Sequence, residues 1–449
     1  MKEGKYPMKK IRLYCLAALV LLGTLLAATA AAGAQAAGYQ SVRGIEVEFT
    51  PSPRTGRYRF EVYEAGSQEA VCSKSFDSIT GAQKVFLPVE CLPEKTYTIK
   101  VTALPEPGRE GLDTASSKEQ AFIPQPVCGH TAAEGGFLYG SGTADDPFIV
   151  STPQQFDHVR QHDGGSFLQT RDLDFSSFGI FSPIWPNEDS ADSESHVGGF
   201  SGIYDGGGYI IQNIVVGNAE HYWRNGQADG RYGYPASLFV AKDMTLRNLG
   251  MDASCKIEGS RAYAASFVCG SRGTASLTIE RCYSEADINL PAVTYSFSGG
   301  IFAGFGNNMT IRDCYFSGRI TGINQTAGIS SQTMSGSIAC CYNIGSCTND
   351  NVTEADGIQG YTGNVVSSCY SISNWPTRKG SNLGQDEFAL QSSFAGWDFD
   401  SVWTMGSVTR LDLSGARQTM AAPVLRVFEQ RDAAAVRAAD YTGQLSLGN

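Results

Sequence analysis

Histidine is scarce in this chain, five in 449 residues. None belongs to a His-Glu-x-x-His arrangement, so the helix-borne metal and general base of a zinc peptidase have no sequence basis. Charge is sparse too: 18% of residues are charged, and acids outnumber bases 45 to 34. The formal net charge of −11 repels phosphate and so disfavours general binding to nucleic acid or anionic lipid. After the first 32 residues no apolar run reaches about 18 residues, so no later membrane span is expected. No sorting motif for covalent wall attachment stands near the C-terminus.

What is present begins with a leader pattern. Lys2, Lys5, Lys9, Lys10 and Arg12 precede an apolar run from Leu13 to Ala32, and the small residues "AAGAQAAG" follow. Basic, apolar and small-residue regions in that order make residues 1–36 a secretory signal peptide, cleaved after Ala34 or Ala36. Losing it removes five bases and Glu3 and takes the net charge from −11 to −15. Of twelve cysteines only Cys15 lies in the leader. The odd remainder leaves at least one thiol without an internal partner. Export permits disulfides without requiring them.

Residues 41–126 carry short runs rich in β-branched and aromatic residues, such as "GRYRFEVYEAG" and "TYTIKVTAL", separated by turn residues. They predict a small β-sandwich. Cys72 and Cys91 are candidates for a staple across it. Residues 127–139 read as a Pro- and Gly-containing linker. Beyond it, Thr152 to Arg160 is the one helical patch, with Thr152 able to cap it, Pro153 suited to its first turn, and Phe156 and Val159 as its apolar stripe.

From Phe200 onward the chain repeats itself. The residue after each strand is Ile214, Leu249, Cys282, Cys314, Cys341 and then Cys369, at steps of 35, 33, 32, 27 and 28. Self-similarity of that period means stacked units. The units contain two or three short strands and no helix-period segment, which excludes helical repeats, and they are too short for propeller blades. A right-handed parallel β-helix over residues 140–426 is the expectation, with one repeat per coil. The plug position points inward, where free Cys serves as a small apolar residue. The coil spacing of about 4.8 Å would permit a disulfide on Cα distance alone, but the in-register orientation is wrong for one, so a ladder of thiols is expected. Tyr283, Tyr315, Tyr342 and Tyr370, next to the cysteines, should face outward and stack. Asn213 and Asn248 before the plug suit a left-handed corner.

"GGIFAGFGNNMTIRDCYFSGRI" and "AGISSQTMSGSIACCYNIGSC" resemble GLUG-type repeats. Segments on both sides resemble the opening and closing parts of such arrays, so that the likeness covers about residues 136–426. "CLPEKTYTIKVTAL" resembles the corner of a fibronectin type III module, with Tyr97 after a Leu-Pro turn, although the second-strand Trp of such modules is missing. The resemblance implies an exported bacterial surface or extracellular protein. The glycine pattern fails at Leu238–Val240 and Ser266–Val268, so the first coils should be less regular.

Several groups have side chains suited to chemistry. His158 and His162 share a helical face and together suit a metal. With no Glu between them and no third ligand at a telling spacing, they read as a solvated helix end, and neither a metal nor a cofactor is expected. Asp172 and Asp174 point the same way on a strand. They would be the catalytic acids if this were a β-helix carbohydrate-active enzyme, but structural hydrogen bonding is the favoured role. The acids before the plugs alternate in sign with bases, as on a solvated face. Glu188, Asp189, Asp192 and Glu194 lie in an acidic insertion without a calcium-loop rhythm. A second insertion carries Tyr222, Trp223, Tyr232 and Tyr234, a candidate ligand-binding surface. Phe394, Trp397, Phe399 and Trp403 should cap the open end of the stack, and residues 427–449 should form a tail. The functional expectation is a non-catalytic, adhesin-like scaffold that binds an extracellular glycan or a surface protein. The alternatives are a polysaccharide lyase or hydrolase, and a bare spacer.

Overall fold

The computed structural model describes residues 44–430, apart from the insertions 186–198 and 218–234 and a number of short segments elsewhere. The leader, the acidic insertion and Tyr222, Trp223, Tyr232 and Tyr234 all lie outside the described residues.

The N-terminal part is an antiparallel sandwich. Strands Ala70–Phe76, Tyr58–Glu64, Tyr97–Ala103 and Ser117–Phe122 form one sheet, and Ile45–Phe49 pairs with Gln83–Leu87 in the other. Alternation drives it: Tyr58, Phe60 and Val62 point inward from one strand, and Tyr97, Ile99 and Val101 from its neighbour. The Tyr97 hydroxyl accepts the Leu92 N–H at 2.8 Å, which pins the corner. Cys72 and Cys91 are free thiols.

The rest is a parallel β-helix. Each complete coil contributes five short strands. One such coil runs through Ser296–Gly299, Phe302–Gly304, Met309–Arg312, Tyr315–Phe316 and Arg319–Thr321. Register is strict from coil to coil, as in Ile279 on Ile311 on Ile338 and Tyr283 on Tyr315 on Tyr342 on Tyr370. The first coils are less regular, as the glycine pattern implied. The long strands Phe200–Gln212 and Phe239–Met251 pair with register shifts after Phe200 and after Asp205.

The plug column is apolar and dry. Ile214, Leu249, Cys282, Cys314, Cys341 and Cys369 are all buried in one core, and the cysteines are free. Each sulfur lies against the carbonyl two residues back, such as Cys314 Sγ to Arg312 O and Cys341 Sγ to Ala339 O, both 3.2 Å. The position before every plug adopts the left-handed conformation, with φ of 56° at Asn213, 55° at Asn248, 52° at Arg281, 54° at Asp313, 52° at Cys340 and 48° at Ser368. Asn suits that conformation, and Arg, Cys and Ser are held in it against an intrinsic cost of roughly 1–2 kcal/mol. The coil geometry therefore overrides residue preference.

Three expectations from the sequence are corrected by the fold. The tyrosine ladder does stack, with ring centroids 5.0 Å and 4.8 Å apart over Tyr283, Tyr315 and Tyr342. Yet it is not an outer surface. An antiparallel hairpin, Trp403–Leu411 with Arg417–Leu425, lies along it and buries Tyr315 and Tyr342. Phe394, Trp397, Phe399 and Trp403 belong to this flank cluster and are separate from the interior column. They pack on the ladder of tyrosine rings along the flank. The hairpin is followed by a turn of helix, Arg426–Glu429, and Phe428 packs edge-on against Tyr283 at 4.7 Å, so the chain stays attached past residue 426.

Candidate metal centre

Short local preferences place four ligand-type side chains around one point. Thr152 caps a helix, α1, over Pro153–His158, by accepting the Gln155 N–H at 3.2 Å, and a tighter turn, Val159–Gln161, continues it. Phe156 and Val159 anchor this element in the interior. His158 and His162 then face away from that anchor, one turn apart.

The segment before Phe137 comes to meet them. Thr131 and Glu134 form a reciprocal capping box, with the Glu134 carboxylate accepting the Thr131 N–H at 2.8 Å. Gly135 follows at φ 81°, so close to α1 that an added Cβ would stand 2.4 Å from the Gln154 carbonyl. The amide of Gln155 on α1 donates to the Gly136 carbonyl at 3.3 Å. These contacts bring Cys128 and His130 onto the histidine pair.

The ligand atoms of Cys128, His130, His158 and His162 all lie within 4.8 Å of one another. Cys128 Sγ is 3.8 Å from His130 Nδ1 and 3.7 Å from His158 Nε2. His158 Nε2 and His162 Nε2 are 3.3 Å apart. The Phe137 N–H donates to Cys128 Sγ at 3.2 Å. Burial is the main cause that holds His158 down to about 4, with His130 and His162 adding to it, and the same effects lower His162. For His158 this favours the neutral imidazole, the form that ligates metals. His158 is buried at 4% exposure, so the solvated helix end expected from the sequence is corrected. The apolar stripe carries its own turn into the core, and the aromatic ring of Phe137 covers it at 5.2 Å.

Asp172 and Asp174 serve the opening coil. Asp172 accepts the Ile210 N–H at 3.0 Å. Asp174 accepts the Ser176 N–H at 2.9 Å and the Asn213 amide at 2.8 Å, bonds that hold its carboxyl below the usual range. The alternating flank charges are paired across coils. Asp205 accepts from Arg247 at 2.7 Å and from Asn248 at 2.8 Å. Glu280 binds Arg281 and Arg312, and Asp287 accepts from Arg319 Nε at 2.9 Å. Asp205, Glu280 and Asp313 are buried, which corrects the solvated-face expectation. Stacking coils at strand spacing withdraws these acids from water and hands them partners.

No family model and no curated protein matches the chain. Among solved structures, the chain is similar to one described as "Crystal structure of a putative immunoglobulin A1 protease from Bacteroides ovatus". Identity is 16%, with a TM-score of 0.42, over 66% of this chain and 97% of the other. A likeness of that degree carries no argument about activity.

Proposed function

We propose that the protein is a non-catalytic exported scaffold, a β-helix of the GLUG-repeat kind that presents a recognition loop to a glycan or a surface protein. The observation that carries this reading is the commitment of the flank acids. Asp172 and Asp174 hold turns together, and Asp205, Glu280 and Asp287 are neutralised by arginines on adjacent coils. A glycoside hydrolase keeps two carboxyl groups available at about 5–9.5 Å across the substrate. Here the same residue types are spent on architecture.

The loop that would do the recognising is the insertion carrying Tyr222, Trp223, Tyr232 and Tyr234. It leaves the coil after the strand Val215–Gly217 and returns before Ala236, which bridges to the next coil at Ala264. Both roots of the insertion are fixed on stacked strands, which supports reading its aromatic residues as a recognition surface carried on a rigid base. The leader pattern and the acidic charge support an extracellular or cell-surface location.

The test combines two screens on the purified protein. On glycan and surface-protein arrays a ligand is expected, with Trp223→Ala weakening it by about tenfold or more. On a polysaccharide panel no turnover is expected. Turnover lost in Asp172→Asn or Asp174→Asn would replace this reading with the carbohydrate-active enzyme, and silence on both screens would leave a spacer.

A further inference from the structure

We propose that Cys128, His130, His158 and His162 bind one zinc ion in a closed four-ligand site that fastens the segment after the sandwich to the first turn of the β-helix. The proposal stands on the convergence of four donor atoms and is independent of the scaffold reading.

Three of the six edges match a zinc tetrahedron. Bonds of about 2.3 Å to sulfur and about 2.0–2.1 Å to nitrogen place neighbouring ligand atoms roughly 3.6 Å apart for sulfur and nitrogen, and 3.3 Å apart for two nitrogens. These three edges measure 3.8, 3.7 and 3.3 Å. The four donors come from two separate segments of the chain, Cys128 and His130 before α1 and His158 and His162 at its end, and their ligand atoms gather within 4.8 Å of one another.

The donor types choose the metal. One thiolate and three imidazoles suit zinc and disfavour calcium or magnesium, which take oxygen. All four positions are filled by protein, so the site is structural, with no coordination place for a reacting water. Zinc takes Cys128 as the thiolate, and the thiol proton passes to solvent on uptake.

The place in the fold gives the ion its task. Phe137, a few residues after His130, stacks on Phe148 at 4.8 Å. Phe148 begins the strand Phe148–Val150, which pairs with Ser166–Gln169 on one edge and on the other donates the Ile149 N–H to the Tyr139 carbonyl at 3.1 Å. A metal that holds Cys128 and His130 to α1 therefore holds the aromatic lid over the first rung of the parallel sheet.

The experiment measures metal in purified protein by mass spectrometry and repeats the measurement after cobalt substitution. The expected result is about one zinc per chain, with tetrahedral cobalt bands and a near-ultraviolet sulfur-to-cobalt band. Cys128→Ser should abolish the sulfur band. His162→Gln, at a half-buried position, should lose the metal while keeping the far-ultraviolet circular dichroism of the β-helix. Chelation should lower the melting midpoint by roughly several degrees and expose Cys128 to thiol reagents. Protein without zinc, zinc content unchanged in both variants, octahedral cobalt bands, or copper or iron in place of zinc would each overturn the assignment. A cobalt spectrum shifted by added azide would overturn the closed site.

Discussion

Asp313 sits at a left-handed corner, φ 54°, with its carboxylate accepting the Trp403 indole N–H at 3.2 Å. Burial under the hairpin pushes its carboxyl up from 3.8 to about 6. The folded value is raised, so the protonated form is favoured in the native state. The stability this group contributes is fully present below about pH 4 and is lost as the pH rises through about 6. Asp313→Asn keeps the acceptor, suits the left-handed corner and removes the buried charge. It should stabilise the protein at pH 8 by roughly 2 kcal/mol and flatten the difference between variant and parent above pH 6. Thermal melts from pH 4 to 8 check this, and a variant less stable than the parent at pH 8 would refute it.

The thiols make a second residue-scale prediction. Cys282 and Cys341 are driven well above the ordinary range by burial, whereas Cys72 and Cys340 are partly exposed. Burial raises these two thiols as well, Cys340 to about 11, so native labelling should reach Cys72 and Cys340 slowly, and leave the column untouched until denaturant is added. Mass spectrometry of labelled peptides reads this directly, and early labelling of Cys314 would mean that the column is not closed.

At the scale of elements, the corner and the hairpin matter most. Ser368 occupies the left-handed corner of its coil, φ 48°, and is used chiefly through its carbonyl, which accepts the Trp397 indole N–H at 2.8 Å. Ser368→Gly keeps that carbonyl and relieves the conformation. It should gain about 0.5–1 kcal/mol, seen as a higher melting midpoint. The hairpin is secured by burial and by directed bonds. Trp403 is fully buried among the tyrosines, the Tyr342 hydroxyl donates to the Pro423 carbonyl at 2.7 Å, and the Ser346 hydroxyl donates to the Leu411 carbonyl at 2.8 Å. Trp403→Ala should cost about 3–5 kcal/mol in denaturant unfolding.

At the scale of the whole molecule, the coils form a one-dimensional stack in which each unit touches mainly its neighbours. Such a stack has exposed pairing edges and a long apolar flank, and both invite self-association. The hairpin answers the second hazard. Truncation after residue 402 should uncover the rings of Tyr315 and Tyr342 and shift the protein to larger species in size-exclusion chromatography. A monodisperse truncated monomer would show that the strap is dispensable.

Periodicity in the amino-acid order determined the stack by itself. Neighbouring coils meet at fixed separations, so like residues must recur where they touch, and the plugs, the tyrosine ladder and the corner at Asn213 and Asn248 could be read directly. The sandwich alternation and the cap at Thr152 were legible for the same local reason. Tertiary structure decided what has no fixed separation. The hairpin returns along a flank chosen by burial, which turned outward tyrosines into a covered core. The flank acids looked solvated because sequence distance hides the arginine one coil away. Cys128 and His130 lie about thirty residues from His158 and His162, in no motif, so only folding of the linker onto α1 brings them to one point. That juxtaposition rests on Gly135, the capping box and a buried aromatic lid, contacts that the order of residues implies one at a time and that act only together.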